Sequence, residues 1–196
     1  MRSLIMLVAL AALYIGAGPI LVSRAVADDL DTCSAETGDE AIAACSRAIS
    51  SGRLHDHDLA AEYYNRGIKY GTKRDYDRAI ADYTEAIRLD PQYADAFGNR
   101  ANAYRDKRDL DRALADYNEA LRIRPGANDY YNRGNANYLK EDYDHAIADY
   151  TEAIRRDPAF ARAYYNRGFA RRAKGDSANA SADIAKAMLL NPGVGK

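Results

Sequence analysis

The sequence predicts an all-α fold in which helix–turn–helix units stack into a solenoid. Three observations lead to this fold class: one sequence string recurs at intervals of 33 or 34 residues, apolar residues within each copy have helical spacing, and a proline closes each copy. The string reads Tyr-Tyr-Asn-Arg-Gly at Tyr63–Gly67 and again at Tyr164–Gly168. A period of this size is typical of stacked units, each too small to bury its apolar face alone. Such an array offers an extended surface rather than a catalytic cleft.

Four units fill two thirds of the chain, and we number the positions of each unit from its first alanine. The units cover residues 60–93, 94–126, 127–160 and 161–194. In each, a first helix carries an aromatic residue at position 4 and a small residue at position 8, and a second helix carries alanines at positions 20 and 27 with a bulky residue at position 24. An aspartate at position 16 can cap the second helix. The closing proline cannot continue that helix, so the unit ends there.

Position 8 is glycine in three units, although glycine costs about 1 kcal/mol relative to alanine inside a helix. We therefore expect close approach of the two helices, with position 8 against the alanine at position 20. The residues at position 8 are Gly67, Ala101, Gly134 and Gly168, and those at position 20 are Ala79, Ala113, Ala146 and Ala180.

Arginine at position 7 and aspartate at position 23 recur together in all four units. We expect each pair to join the two helices of its unit, and an arginine-lined ligand surface is the alternative. The pairs are Arg66 with Asp82, Arg100 with Asp116, Arg133 with Asp149, and Arg167 with Asp183.

From Ala60 to about Pro192 this pattern resembles the tetratricopeptide repeat family. The resemblance lies in small residues at positions 8, 20 and 27, aromatic residues at positions 4 and 24, and proline at position 32. It departs from the family at position 7, where an apolar residue is usual and this chain has arginine. The resemblance implies a right-handed solenoid of four tetratricopeptide units that acts as a non-enzymatic protein-interaction scaffold. The framework positions that match do not identify the partner.

The resemblance also implies which residues contact a ligand, because the first helices of this family line a concave face. Position 6 is asparagine in every unit, and we name Asn65, Asn99, Asn132 and Asn166 the asparagine row. An amide offers both a donor and an acceptor, so the row resembles the asparagine ladder with which some members hold an extended polypeptide. Packing against a neighbouring helix is the alternative role. The other candidate contact residues are Tyr64, Tyr131, Tyr165, Asn102, Asn135, Arg105, Tyr138 and Arg172.

The first 27 residues have the features of a secretory signal peptide. An uncharged apolar run, Leu4–Val22, follows Arg2, is interrupted by Pro19, and precedes the A-x-A site Ala25–Ala27. We predict cleavage after Ala27 and export, most simply to a periplasm. An uncleaved membrane anchor formed by residues 4–22 and secretion are the alternatives.

Cys33 and Cys45 are the two cysteines of the chain, and both lie in the N-terminal segment 28–59. In an exported protein a close pair predicts a disulfide, worth roughly 3 kcal/mol for a loop of this length, and two buried free thiols are the alternative. Residues Asp39–Ser51 have the spacing of a second helix without its partner, so we expect an N-terminal capping half-repeat. The disulfide would attach the irregular chain around Cys33 to that helix.

Composition narrows the function classes. A formal charge of −1, from 28 Lys+Arg and 29 Asp+Glu, provides no basic surface for nucleic acid or anionic membranes. The histidines are His55 and His57 in a polar loop and His145 at an exposed position, and no nucleophile is paired with a base, so we predict neither enzyme activity nor a cofactor. Alternating His and Asp over His55–Asp58 is weak evidence for a metal, and we predict no metal site. The expected partner is another protein, bound as an extended segment.

The C-terminal unit is a second candidate interaction surface, because the outer unit of an array needs a polar-faced cap. Only Gly193–Lys196 follow the closing proline. The last helix carries four large apolar residues: Ile184, Met188, Leu189 and Leu190. We expect a patch that pairs with a second copy or docks the partner. A helix polar enough to cap itself is the alternative.

Overall fold

The computed structural model describes the backbone of residues 18–195 and the side chains of residues 25–195. This part of the chain contains ten α-helices and no strand. The helices are α1 Gly18–Ala35, α2 Gly38–Ser50, α3 Asp56–Thr72, α4 Tyr76–Leu89, α5 Ala94–Asp106, α6 Leu110–Ile123, α7 Ala127–Leu139, α8 Tyr143–Arg156, α9 Ala161–Ala173 and α10 Ser177–Leu190. Helices α3 to α10 are the first and second helices of the four units. The prediction of an all-α repeat solenoid is confirmed.

The packing of the helices gives the array a concave side. Each helix packs mainly on the next one in the chain. The first helices of successive units, α3, α5, α7 and α9, also contact one another, whereas the second helices within residues 18–195 do not. Because the first helices lie closer together, the array curves towards them, and they line the concave face.

Capping follows the predicted pattern. The Asp109 side chain accepts a hydrogen bond from the Arg112 backbone N–H at 3.2 Å and caps α6. The aspartates at position 16 of the other three units cap α4, α8 and α10 in the same way. Before each cap the chain adopts a positive φ, at Arg74, Arg108 and Glu141 in the first three units and at Gly175 in the last.

The small residue at position 8 allows the two helices of a unit to meet, and the ring at position 24 is its nearest neighbour in two units. A Cβ at Gly67 would lie 2.6 Å from Cε1 of Tyr83, which is at position 24. The third unit repeats this contact between positions 8 and 24. In the fourth unit a Cβ at Gly168 would meet both Ile184 Cγ1 at 2.8 Å and the Ala180 carbonyl oxygen at 3.0 Å. In the first and third units the atoms nearest to such a Cβ therefore belong to the ring at position 24, and in the fourth unit the predicted contact with position 20 is among the nearest.

The predicted Arg–Asp pairs are present in all four units. Arg100 donates from Nε and Nη2 to the carboxylate of Asp116 at 2.7 and 2.8 Å. Its Nη1 donates to Thr84 Oγ1 on the second helix of the preceding unit at 3.0 Å. The arginines at position 7 of the other units make the same two kinds of contact. Each arginine thus joins three helices, which makes its role structural.

A second set of contacts also links successive units. The lysine that follows each first helix pairs with an acidic residue near the start of the preceding second helix. The pairs are Lys73 with Asp39, Lys107 with Asp77, Lys140 with Asp111, and Lys174 with Asp144. These exposed ion pairs contribute little individually, but they recur at every junction.

The N-terminal cap is larger than the half-repeat expected, because α2 has a partner helix. Helix α1 packs on α2, and a disulfide joins Cys33 to Cys45 with their Cα atoms 4.9 Å apart. The disulfide agrees with the prediction, but Cys33 lies on a helix rather than in irregular chain. Residues 1–17, which hold most of the apolar run of the predicted signal peptide, lie outside the described residues. No helix within the described part is long and apolar enough to span a membrane.

The first helix of the first unit starts earlier than predicted. Helix α3 begins at Asp56, so the segment His55–Asp58 forms the N-cap and first turn of a helix and not a loop. Further along α3, Glu62 is only 7% exposed, and its carboxylate lies within 4.8 Å of both disulfide sulfurs. Glu62 Oε1 accepts a hydrogen bond from Asn65 at 3.3 Å, whereas Oε2 has no partner among the described residues. Burial raises the pKa of Glu62, and the Asn65 hydrogen bond opposes this only in part.

Candidate functional site

The concave face contains a depression of about 370 Å³, which we name the wide pocket. It lies where the third unit meets the fourth, and one residue from the second unit closes its edge. Its walls mix aromatic rings, amides and one guanidinium group. The lining residues are Arg105, Asn135, Tyr138, Leu139, Tyr150, Asn166 and Phe169.

A smaller depression of about 180 Å³, the narrow pocket, lies where the first unit meets the second. It has an amide wall and a tyrosine floor like those of the wide pocket, but Gly71 replaces the large side chain at position 12. The lining residues are Ile68, Gly71, Tyr76, Tyr83, Asn99, Asn102, Ala103 and Asp106.

Two members of the asparagine row bond to the preceding unit. Asn99 donates to the hydroxyl of Tyr64 at 3.0 Å, and Asn166 donates to the hydroxyl of Tyr131 at 3.1 Å. Asn166 also donates to Asn135 Oδ1 at 2.8 Å. These bonds connect positions 5 and 6 across a junction, so the packing role of the asparagines is present at two junctions.

The other two members of the row lack such a tyrosine. Asn65 bonds to Glu62 on its own helix. Asn132 is half-buried, and its amide makes no hydrogen bond within the described chain. The reason is Gly98, which stands at position 5 of the preceding unit where the first and third units have tyrosine. Asn132 is therefore the member of the row whose donor and acceptor are both available to a ligand.

The candidate tyrosines at position 5 pack against other aromatic rings. The ring centroids of Tyr64 and Tyr93 are 4.8 Å apart, and those of Tyr131 and Phe160 are 4.9 Å apart. Tyr165 contacts Phe169 edge-on, also with 4.8 Å between centroids. Burial raises the pKa of Tyr64, so its hydroxyl stays protonated in neutral solution. These rings form rigid parts of the groove wall.

Amides at position 9 are oriented by buried tyrosines at position 24. The hydroxyl of Tyr117 donates to Asn102 Oδ1 at 2.6 Å, and that of Tyr150 donates to Asn135 Oδ1 at 2.9 Å. Burial raises the pKa of both hydroxyls, which therefore remain protonated donors. Because the amide oxygens are occupied, Asn102 and Asn135 direct their N–H groups away from the tyrosines.

The candidate residues at position 12 differ from unit to unit. Arg105 lies over the junction between the second and third units, which we name the middle junction. Its Nη1 is 3.4 Å from the Tyr117 hydroxyl, and its Nη2 pairs with Asp106 at 2.9 Å. Tyr138 packs edge-on against Tyr143, with 5.4 Å between centroids. Arg172 is exposed, and its guanidinium carbon lies 5.5 Å from the Phe169 ring centroid.

The structure brings Arg105, Asn135, Tyr138 and Asn166 of the predicted set together in one pocket. Leu139, Tyr150 and Asp106 also line the two pockets but were not among the predicted contacts. Leu139 and Asp106 both stand at position 13, on the face that lines the groove, and this spacing was the available signal. Tyr150 lies on a second helix, and nothing in its spacing separates a pocket floor from a core residue.

Comparison with known proteins identifies the repeats. Profiles described as tetratricopeptide repeat match residues 64–128 and 161–193, and one described as TPR repeat matches residues 134–175. No curated protein sequence matches the chain.

Several solved structures share the fold. MamA from Desulfovibrio magneticus RS-1 is 21% identical with a TM-score of 0.75, over 92% of this chain and 99% of that one. BtubC from P. vanneervenii is 22% identical with a TM-score of 0.73, over 88% of this chain and 89% of that one. YrrB, described as a protein of this repeat class with an unusual peptide-binding site, is 21% identical with a TM-score of 0.67, over 89% and 84%. At these identities the likeness shows the fold.

Proposed function

The chain belongs to the tetratricopeptide repeat family, and from this premise we propose that it is a non-enzymatic scaffold that binds an extended segment of a partner protein in its concave groove. The supporting observation is the wide pocket, where four predicted contact residues surround one depression of about 370 Å³. Its apolar rings and amides suit an uncharged stretch of polypeptide. The peptide-binding site described for YrrB, a protein of the same fold, is in keeping with this proposal.

The histidines favour binding over catalysis. His57 is exposed and lies 3.5 Å from the carboxylate of Asp90. His145 is exposed beside Asp142, the aspartate that caps α8. Each of these two histidines is paired with a carboxylate and not with a nucleophile among the described residues, which is not the general-base arrangement of a hydrolytic site.

The test compares one groove variant with one variant outside the groove. Phe169→Glu puts a charge into the wide pocket, and Ala81→Glu puts the same charge on the exposed side of the second helix α4. Wild-type protein and Ala81→Glu should capture the same partner from an extract of the compartment to which the protein is exported. Phe169→Glu should fail to capture this partner and should keep the helical circular dichroism of the wild type. Equal capture by all three proteins would show that the groove is not the binding site.

We also propose that the protein is exported and cleaved after Ala27. The cleavage site lies within α1, where Ala25 and Ala27 are exposed and Val26 is only partly buried, so none of the described side chains removed by cleavage is fully buried. From Ala25 onwards the first fully buried side chain is that of Cys33, whose disulfide suits an oxidising compartment. Intact mass spectrometry of the exported protein should give a chain that starts at Asp28. An N-terminus at Met1 would support the membrane anchor instead.

Self-association through α10 is a second candidate function, favoured by Leu189, which is 77% exposed, and Met188, which is 50% exposed. The expected patch is smaller than the sequence indicated. Ile184 packs on Gly168 within the unit, and Leu190 packs with the buried Val194. In sedimentation, a dimer in the wild type that becomes a monomer in Leu189→Glu supports this surface. A wild type that is monomeric at high concentration would exclude it.

A further inference from the structure

The two pockets of the groove are built from the same repeat positions. In each, positions 9, 12 and 24 of one unit face positions 6 and 9 of the next. The wide pocket uses the third and fourth units, and the narrow pocket uses the first and second. Because the same positions are used, both pockets open towards the same face of the groove, two units apart.

The middle junction between the pockets has a different character. There the position-12 side chain, Arg105, covers Tyr117, which is fully buried. Asn132 lies at the same junction and has a free amide, because Gly98 offers it no hydroxyl. The groove thus presents a pocket, a free amide and a second pocket in a row. A free amide matches a peptide group, which also carries one donor and one acceptor.

The separation of the pockets sets a length for the ligand. The first helices of successive units contact one another, and helices in contact lie about 10 Å apart. Two such steps separate the pockets, or about 20 Å. An extended chain advances about 3.3 Å per residue, so about six residues span this distance.

The pockets also differ in what they accept. The wide pocket has the volume and the rings of Tyr138 and Phe169 to pack a large apolar side chain. The narrow pocket has about half that volume, and Asp106 lies at its edge. A small aliphatic side chain fits these properties.

We propose that the groove binds one extended polypeptide through two anchor side chains about six residues apart, a large apolar one in the wide pocket and a small aliphatic one in the narrow pocket. The main chain between the anchors hydrogen-bonds to Asn132. This inference rests on the proposed function, since it specifies the segment that the scaffold recognises.

Random peptides displayed on phage provide the probe. Selected on the full exported chain, they should share two apolar positions about six residues apart, the spacing derived from the extended chain.

Gly71→Leu fills the narrow pocket. It should fold, because a Cβ at Gly71 meets only Tyr83 Oη at an ordinary 3.6 Å and glycine is a poor helix residue. Ala81→Leu adds the same side chain outside the groove and is the matched control.

Binding of the selected peptides should weaken at least about tenfold in Gly71→Leu and stay unchanged in Ala81→Leu. Peptides with alanine in place of the small anchor should bind wild type and Gly71→Leu equally. Asn132→Ala should weaken all selected peptides, whatever their anchors. If Gly71→Leu leaves binding unchanged while Phe169→Ala abolishes it, the ligand has one anchor, and the two-anchor proposal is wrong although the proposed function stands. If no selected peptide depends on any groove residue, both are wrong.

Discussion

Replacing Arg100 by methionine tests the arginine that joins three helices. The substitution removes two hydrogen bonds to Asp116, at 2.7 and 2.8 Å, and one to Thr84 at 3.0 Å. It leaves the Asp116 carboxylate, whose side chain is 9% exposed, without its cation. Removing one partner of a buried ion pair costs about 3–5 kcal/mol. Because the Arg100 side chain is 16% exposed and water can partly replace it, we expect the low end, about 3 kcal/mol.

Urea unfolding followed by circular dichroism measures this change, with the slope of the transition checked for constancy. The double variant Arg100→Met with Asp116→Leu should recover most of the loss, because no buried charge then remains unpaired. Arg112→Met is the control. Its ion pair with Asp109 is exposed, with 62% of the arginine side chain in solvent, so its loss should lower the free energy of unfolding far less than the loss of Arg100 does. A change in Arg100→Met no larger than in the control, or a double variant less stable than the single one, would refute this reasoning.

Three further predictions concern other parts of the fold. Protein purified without reductant should contain no free thiol, and reduction of the Cys33–Cys45 disulfide should increase hydrogen exchange in α1 and α2 before the other helices. An equal increase in all helices would show that the disulfide stabilises more than the α1–α2 hairpin. Glu141→Gly should raise the free energy of unfolding by about 0.5–1 kcal/mol, because Glu141 has a φ of 63°, which glycine adopts without strain. The fourth unit has Gly175 at the equivalent position, and Gly175→Ala should lower the free energy of unfolding in the same urea assay. The raised pKa of Glu62 means that the fold favours its protonated form, so the free energy of unfolding falls as pH rises from the pKa of the unfolded chain to that of the folded protein. Glu62→Gln should remove this fall and stabilise the protein at pH 7 by about 1–2 kcal/mol. Unfolding experiments below the unfolded pKa and at pH 7 measure both effects. An unchanged pH profile would mean that water satisfies Glu62.

Pairs whose two members recur together were predictable from the sequence. The contacts between positions 7 and 23 follow because both side chains are charged and appear in every unit. The caps at position 16 follow because an aspartate precedes every second helix, where backbone N–H groups lack partners. The nearest neighbour of position 8 was not predictable, because positions 20 and 24 lie one helical turn apart on the same face. Only the observed packing shows that the ring at position 24, as in Tyr83, reaches Gly67 first.

The candidate site was predictable at the level of its face and less so at the level of single groups. Helical spacing and family resemblance lead to the concave positions, but they treat the four asparagines alike. The structure separates Asn132 from Asn99 through hydrogen bonds that cross a junction. The sequence contains the cause of this difference, since Gly98 stands at position 5 where the other units have tyrosine. Its effect on Asn132 could not be predicted without knowing that position 5 of one unit faces position 6 of the next. The partner of α2 was missed because the apolar run that predicts a signal peptide obscures the helix that continues to Ala35.

The contacts that tie each unit to the one before it have a consequence for affinity. The arginines at position 7 and the Lys–Asp pairs hold the spacing of the units before any ligand arrives. A groove ordered in advance loses little conformational entropy on binding, so most of the entropic cost falls on the ligand. A partner segment stiffened between its anchors, for example by proline at a residue that does not bond to Asn132, should therefore bind more tightly than a flexible segment with the same anchors.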